Sequence, residues 1–416
     1  MSMFQYFPTN YVWSLAVCGA LEAGAKIGEI DEACRPLLDV ARQGDDPGTE
    51  AFFHAWQSMA GKLIVLAEED EARGRHFSAG EKLQRAALYL QTAERLQAHG
   101  FAPRKAMYRQ LLDCFQRAQL LLRSNCTRIE IPYAHAHLAG LLVRAPSAPT
   151  RSPLLVMLNG LDSTKEMIYP NAITQQLTQR GISVLYLDQP GSGEALRLHG
   201  LAAVPEAEQW ATPVMDWLQQ QDGIDPRRIG LAGVSLGGYY CPRAVAFEPR
   251  FALGVVWGAN HDWREVQKRR LRREGENPVP HYWEHVRWVF GAKDMDDFMA
   301  IAERMHLDGV LDRVRVPFLV THGEQDKQIP LEYAQRSYEQ LVNSPDRELK
   351  IFTEREGGVH HVSLDNMANA GAYIADWVAE RLGGRTGRRQ RRQSRRGGIR
   401  VCTGVQFSCT VVQYQP

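Results

Sequence analysis

Apolar residues change their spacing along this chain, and each change marks a different kind of structure. Up to about residue 125 they recur every three or four positions, as in Trp56, Met59, Leu63 and Leu66 and again in Leu83, Ala86, Ala87, Leu90 and Ala93. That interval places them on one face of a helix. Two such stretches in succession predict an antiparallel helical hairpin, the second opened by a capping box of Ser78 and Glu81. No second copy recurs at a period of about 34 residues. Residues 1–125 therefore read as a helical cap on a following domain, not as a repeat array.

From residue 126 the spacing falls to two, and 128–131 and 138–143 read as antiparallel strands. After the link 145–153 come short apolar runs at 154–158, 182–187, 229–234, 252–257, 318–321 and 349–352, of the kind buried on both faces of a parallel sheet. Helical stretches at 165–180, 204–221, 236–247, 331–343 and 366–382 separate them. This alternation predicts a doubly wound, mostly parallel α/β sheet over 126–384, with ligands at the carboxyl ends of its strands. One interval interrupts it. Residues 258–315 hold a charged helical part, REVQKRRLRREGE, and an aromatic part with Tyr282, Trp283, Trp288 and Phe290. An insertion of that length over the strand ends reads as a helical lid or pocket wall, its aromatics either lining the pocket or forming a small core of their own.

Composition narrows the class. At 416 residues, 44% hydrophobic and 23% charged, the chain suits a soluble globular protein of two or three domains. No run of about 18 apolar residues predicts a membrane span, and MSMFQYFPTNYVW lacks a signal-peptide layout. A cytoplasmic location is the expectation. The seven cysteines are scattered and form no Cys-x-x-Cys pair, so neither a disulfide framework nor a structural zinc site is expected. Among the 13 histidines there is no His-Glu-x-x-His. His135 and His137, two apart on one side of a strand, read as a solvated or packed pair, not as ligands. No metal and no cofactor are expected. Residues 385–416 carry eight arginines and no acid; taking these from the net charge of +1 leaves the first 384 residues at −7. That balance argues against a nucleic-acid partner for the folded part. The tail itself reads as disordered and is assigned no function.

The chemistry centres on Gly233-Val234-Ser235-Leu236-Gly237. An apolar run enters it and a helix-compatible segment leaves it, the setting in which Gly-x-Ser-x-Gly presents a serine on a sharp turn. A serine hydroxyl needs a base to take its proton, and in an α/β-hydrolase an acid and then a histidine follow the serine in chain order. After the run 318–321 comes His322-Gly323-Glu324-Gln325-Asp326; after 349–352 comes Glu356-Gly357-Gly358-Val359-His360-His361. Asp326 is the expected acid and His361 the expected base, with Glu324 and His360 as competing assignments. An oxyanion hole would take the amide of Leu236 and one from Asn159-Gly160-Leu161-Asp162, at Leu161 or Asp162. Asp188-Gln189-Pro190-Gly191-Ser192-Gly193-Glu194 is a second glycine-rich loop after a strand. It lacks the third glycine of a dinucleotide fingerprint and reads as a positioning loop beside the site.

Together NGLDSTKE (159–166), DQPGSGE (188–194), GVSLGGYYCPRAVAFEPR (233–250) and GGVHHVSLDN (357–366) resemble the α/β-hydrolases that include dihydroxypseudooxynicotine hydrolase and the fungal pigment-pathway polyketide-shortening hydrolases. The likeness spans roughly residues 50–382. It implies a serine-dependent hydrolase that cleaves a carbon–carbon bond next to a carbonyl, with Ser235, Asp326 and His361 in the matching places and His361 followed by Asp365-Asn366. Asn159 stands where the family usually has glycine, and Val362 where it often has cysteine; both departures bear on the pocket more than on the triad. Glu265 matches an additional pocket acid of the pyridine-alkaloid enzyme, and Tyr239 and Trp283 join it as expected pocket residues. The partner expected is a small-molecule substrate, with neither nucleic acid nor membrane, and a homodimer is left open. Two other readings stand beside this one: a carboxylesterase or acylaminoacyl-peptidase-like enzyme with the same triad, and a non-catalytic hydrolase fold that binds partners.

Overall fold

The computed structural model describes residues 3–44, 46–146, 151–272 and 279–385. Five α-helices precede the first strand: α1 (Tyr11–Glu22), α2 (Ile27–Cys34), α3 (Thr49–Ala72), α4 (His76–Arg95) and α5 (Pro103–Leu121). Helix α1 starts where the Asn10 side chain accepts the Trp13 amide, an N-cap that satisfies one of the free donors of the first turn. The predicted hairpin is α3 with α4. Trp56, Met59 and Leu63 meet Leu83, Ala86, Ala87 and Leu90, all buried, and Trp56 packs on Tyr89 with ring centroids 5.3 Å apart. Leu66, assigned to the same stripe, stays exposed.

The capping box is not formed. Helix α4 already begins at His76, which leaves Ser78 inside it. Gly74 takes φ 72° and the Arg75 amide donates to Asp70 O at 2.8 Å, so the turn closes within three residues and the helix starts earlier than the Ser78 pattern required.

The strands are β1 (Cys126–Tyr133), β2 (Ala136–Val143), β3 (Ser152–Leu158), β4 (Ser183–Leu187), β5 (Ile224–Val234), β6 (Leu253–Trp257), β7 (Phe318–Gly323) and β8 (Arg347–Phe352). They form one sheet in the order β1-β2-β4-β3-β5-β6-β7-β8. Pairings β1/β2 and β2/β4 are antiparallel and all others parallel. Strands β3, β4 and β6 are buried along their whole length, which is why they read as unbroken apolar runs. Between strands run α6 (Lys165–Ile168), α7 (Ala172–Gln179), α8 (Gly193–Arg197), α9 (Glu208–Gln219) and α10 (Gly237–Phe247). The single helix expected over 165–180 is divided into α6 and α7, with Pro170, which has no amide to donate, at the break.

The interruption between β6 and β7 contains α11 (Trp263–Leu271), α12 (Tyr282–Phe290) and α13 (Met295–Ala302); part of its charged stretch, 273–278, lies outside the described residues. Its aromatics divide their work. Trp263, Trp283, Phe290 and Phe298 pack together, with Trp263 and Phe290 centroids 5.0 Å apart. Helices α14 (Leu331–Gln340) and α15 (Met367–Leu382) complete the layers. Among the described residues no helix is long and apolar enough to cross a membrane. The arginine-rich tail lies, from residue 386 on, outside the described residues.

Candidate active site

Strand β5 ends at Val234 and α10 begins at Gly237, so the chain reverses direction within two residues. Ser235 takes the strain, at φ 56°, a left-handed conformation that costs a non-glycine residue about 1–3 kcal/mol. A Cβ at Gly233 would sit 1.9 Å from Gly237 O, so no larger residue fits beneath the turn. The Ser235 amide donates to Trp257 O at 2.9 Å, which fixes the turn to the end of β6.

Two later loops reach the same point. The Ser235 hydroxyl lies 2.9 Å from His361 Nε2, and His361 Nδ1 lies 2.9 Å from Asp326 Oδ2. Asp326 Oδ1 accepts the amides of Gln328 at 2.7 Å and Ile329 at 3.0 Å. Burial pushes the Asp326 carboxyl up, but the charge of His361, its hydrogen bond, His322 and the Gln328 amide together hold it below the usual carboxylate range. Such a chain can pass a serine proton to an imidazole whose other nitrogen a carboxylate orients. The competing residues lie outside it. Glu324 Oε1 accepts the Glu354 amide at 2.9 Å. The His360 ring is buried with neither nitrogen partnered among the described residues.

His322 supports the acid, and no motif pointed to it. The Ala259 amide donates to its Nδ1 at 3.1 Å, so the proton sits on Nε2, which donates to Ile329 O at 3.1 Å. Burial pushes its pKa down, which favours the neutral ring. Beyond His361 the backbone is held hard: Val362 and Ser363 both have positive φ, 46° and 58°, and Trp257 Nε1 donates to Ser363 Oγ at 3.2 Å. Asp365 accepts the amides of Gly358, Val359 and His360 at 2.9–3.0 Å.

The loop after β3 faces Ser235. A Cβ at Gly160 would lie 3.1 Å from Ser235 Cβ, which is why glycine stands there. Gln189 holds the preceding residue on both sides, accepting the Asn159 amide at 3.1 Å and donating to Asn159 O at 3.0 Å. Asn159 Nδ2 donates to Asp188 Oδ1 at 3.0 Å, and Lys165 Nζ donates to Asp188 Oδ2 at 2.7 Å. The 188–194 loop thus positions its neighbour, as its sequence suggested. The amides of Leu161 and Leu236 have no partner among the described residues, and both residues line the cavity with Ser235. Asp162 is the poorer second donor: its amide serves its own carboxylate, which pairs with Arg95 at 2.8 Å.

The cavity over Ser235 is walled by Val12, Leu15 and Gly19 of α1, by Met167 and Trp257, and by Trp263, Val266 and Tyr282 of the insertion. Its polar fringe includes Arg95, Asn260 and Gln328. None of the three expected pocket residues lines it. Tyr239 is fully buried, its hydroxyl donating to Pro205 O at 2.9 Å. Trp283 packs inside the insertion. Glu265 pairs with Arg272 at 2.9 Å near the surface. The helical interval explains the last case: Trp263, Val266 and Arg270 of α11 face the cavity, so position 265 points away.

Helices on either side grip the Leu161 loop. Arg95 of α4 reaches Asp162, and His285 Nε2 of α12 lies 3.4 Å from Leu161 O. Behind them Glu94, fully buried, binds Arg104 at 2.6 Å and Arg197 at 2.8 Å, with Trp288 under both guanidinium groups. Burial pushes the Glu94 carboxyl up, but the two arginines hold it at about 2.

With this geometry in view, relatives can be compared. The chain is 28% identical over 349 residues to 2,6-dihydropseudooxynicotine hydrolase of Paenarthrobacter nicotinovorans, covering 83% of this chain and 88% of the relative. It is 28% identical over 333 residues to 20-hydroxy-prefusarin hydrolase of Gibberella moniliformis, covering 72% and 77%. The crystal structure of 2,6-dihydroxy-pseudo-oxynicotine hydrolase superposes with a TM-score of 0.71 at 25% identity, covering 88% of this chain and 95% of that one. The sequence profile of the prolyl oligopeptidase family matches residues 169–385, from α7 through the last helix. A hydrolase sheet, a serine on a strained turn at its centre and this profile agree: the chain belongs to the prolyl oligopeptidase family and is a hydrolase of the α/β-hydrolase fold.

Proposed function

We propose that this hydrolase cleaves a carbon–carbon bond next to a carbonyl in a ketone-bearing, polyketide-like small molecule, through an acyl-enzyme on Ser235. The observation that carries the proposal is the hydrogen-bonded chain Ser235–His361–Asp326 at the floor of a cavity with apolar walls. Ser235 Oγ attacks the carbonyl and its proton passes to His361 Nε2. The amides of Leu236 and Leu161 hold the oxyanion, and Asp326 stabilises the imidazolium. Collapse expels an enolate carbon, which takes the proton back from His361; a second carbonyl beta to the first makes that carbon a feasible leaving group. Water, deprotonated by the same imidazole, then releases the acyl group and restores Ser235. The bond type comes from the motif resemblance, and relatives named as hydrolases of 2,6-dihydropseudooxynicotine and of 20-hydroxy-prefusarin support it.

The family profile favours a second reading, an esterase or acylaminoacyl-peptidase-like enzyme that uses the same three residues. Parallel turnover of β-diketones, nitrophenyl esters and aminoacyl anilides separates the two. The proposal expects kcat/KM to be highest for a β-diketone, and a preference for simple esters or anilides would replace it. Labelling by a fluorophosphonate, lost in Ser235→Ala, tests the serine itself; folded wild-type protein that fails to label would favour a binding role.

A further inference from the structure

The expected pairing of His135 with His137 on one strand is not formed, since His135 lies in the turn before β2; His137, on β2, has a different histidine neighbour that the sequence does not reveal. His199, just past α8, packs against His137 with ring centroids 4.3 Å apart at 64°. The Nε2 atoms of both rings are buried and have no hydrogen-bond partner among the described residues. A buried nitrogen that makes no hydrogen bond costs about 1–3 kcal/mol; that of His137 has only Glu130 Oε1 at 3.3 Å, and two such nitrogens on adjoining rings suggest a shared ligand. Glu194 of α8 completes the group: one ligand atom from each of His137, Glu194 and His199 lies within 4.8 Å of the others.

We propose that His137, His199 and Glu194 form a binding site for a borderline divalent cation of the Zn²⁺ type, which staples the β1–β2 hairpin to α8. The donor chemistry fits, since two neutral imidazoles and one carboxylate suit zinc better than calcium or magnesium. Zinc ligands about 2.1 Å from the ion stand about 3.4 Å apart in a tetrahedron, so closure moves each side chain by less than about 1 Å. Glu194 can still ligate. A carboxylate offers about four lone-pair positions; Arg128 occupies two and Lys165 one. Charge points the same way. Arg128 and Lys165 are surrounded by Glu130, Glu166, Asp188 and Glu194, an excess of carboxylates that a divalent ion offsets. Glu130 Oε1, which also accepts from Arg128 Nη1 at 2.7 Å, lies 3.3 Å from His137 Nε2 as a candidate fourth ligand, and the His137 side chain is 24% exposed, which leaves an entry path.

The consequence is structural. Glu194 also binds Lys165, which binds Asp188, which holds Asn159 beside Gly160. The ion would therefore brace the loop that faces Ser235 without touching it.

The test is direct titration of the chelator-treated full-length protein with Zn²⁺ against a chromophoric competitor. One ion per chain and a rise in Tm are expected. His137→Gln and His199→Gln should each weaken binding about 10–100-fold, while His54→Gln, on the exposed face of α3, should leave it unchanged. X-ray absorption of the zinc-loaded wild type keeps the test decisive if a variant misfolds, and should show two imidazoles on the metal. Failure to bind at micromolar Zn²⁺, wild-type affinity in both variants, or a spectrum with fewer than two imidazoles would overturn the site.

Discussion

Two polar clusters lie near the Leu161 loop, and they are built in opposite ways. Ser235, Asp326 and His361 come from three loops at the carboxyl ends of β5, β7 and β8, and each sits in a recognisable stretch of sequence. Glu94, Arg104 and Arg197 join residues up to 103 positions apart across the contact between the N-terminal helices and the sheet, with no motif to announce them. The first cluster is partly open to a cavity and strained; the second is sealed, with one carboxylate shared by two arginines and Arg104 Nη2 left without a hydrogen-bond partner among the described residues. A reactive group must face substrate. A buried charge is costly to leave without its counter-charge. The contrast predicts that the two clusters fail differently.

Ser235→Ala should lower kcat/KM by about 10⁴-fold or more on any substrate the wild type turns over, with an unchanged urea midpoint. A loss of stability instead would erase the distinction. Glu94→Gln should do the reverse, destabilising by about 3–5 kcal/mol in urea unfolding because two buried arginines lose their counter-charge, while the folded fraction keeps its turnover. Arg95→Gln sits between the clusters. Freed from Arg95, Asp162 should let the Leu161 amide drift and reduce kcat about 10–100-fold with KM little altered; a change confined to KM would assign Arg95 to substrate binding.

The smallest effect is on pH dependence. Burial pushes the His285 pKa down to about 3, assisted by Arg104 and opposed by Asp162. Its unfolded value is about 6.5, so below that pH the unfolded chain takes up a proton that the folded chain refuses. Stability should therefore fall as pH drops from about 6.5 toward 3, by up to about 1.4 kcal/mol per pH unit from this group. His285→Gln should flatten that part of the slope in Tm measured from pH 7 to pH 5. Glu94 acts lower: its ionised form stabilises the fold above about pH 4.5, and that contribution is lost as pH falls toward 2.

Legibility followed the same division. The sheet was readable because β3, β4 and β6 are apolar along their whole length, and the serine turn because its glycines answer to a local backbone demand. The choice between His360 and His361 was open in the sequence, since adjacent residues share every local property and only the fold decides which ring faces Ser235. The pocket wall was missed for another reason. Val12, Leu15 and Gly19 come from a helix more than 200 residues before the serine, and nothing in their spacing tells a helix that packs on a core from one that packs on a cavity. Glu265 was expected in the pocket from the motif resemblance, and the helical interval of α11 turns it away; Tyr239 and Trp283 pack into protein and not onto the cavity.

The left-handed turn at Val362 sets heat resistance and turnover against each other. A β-branched residue at φ 46° stores about 1–3 kcal/mol directly beside His361. Glycine would release it, so a search for hardier variants that ranks them by melting point alone will be drawn to this position. What it would collect there is a protein whose imidazole no longer has a fixed address.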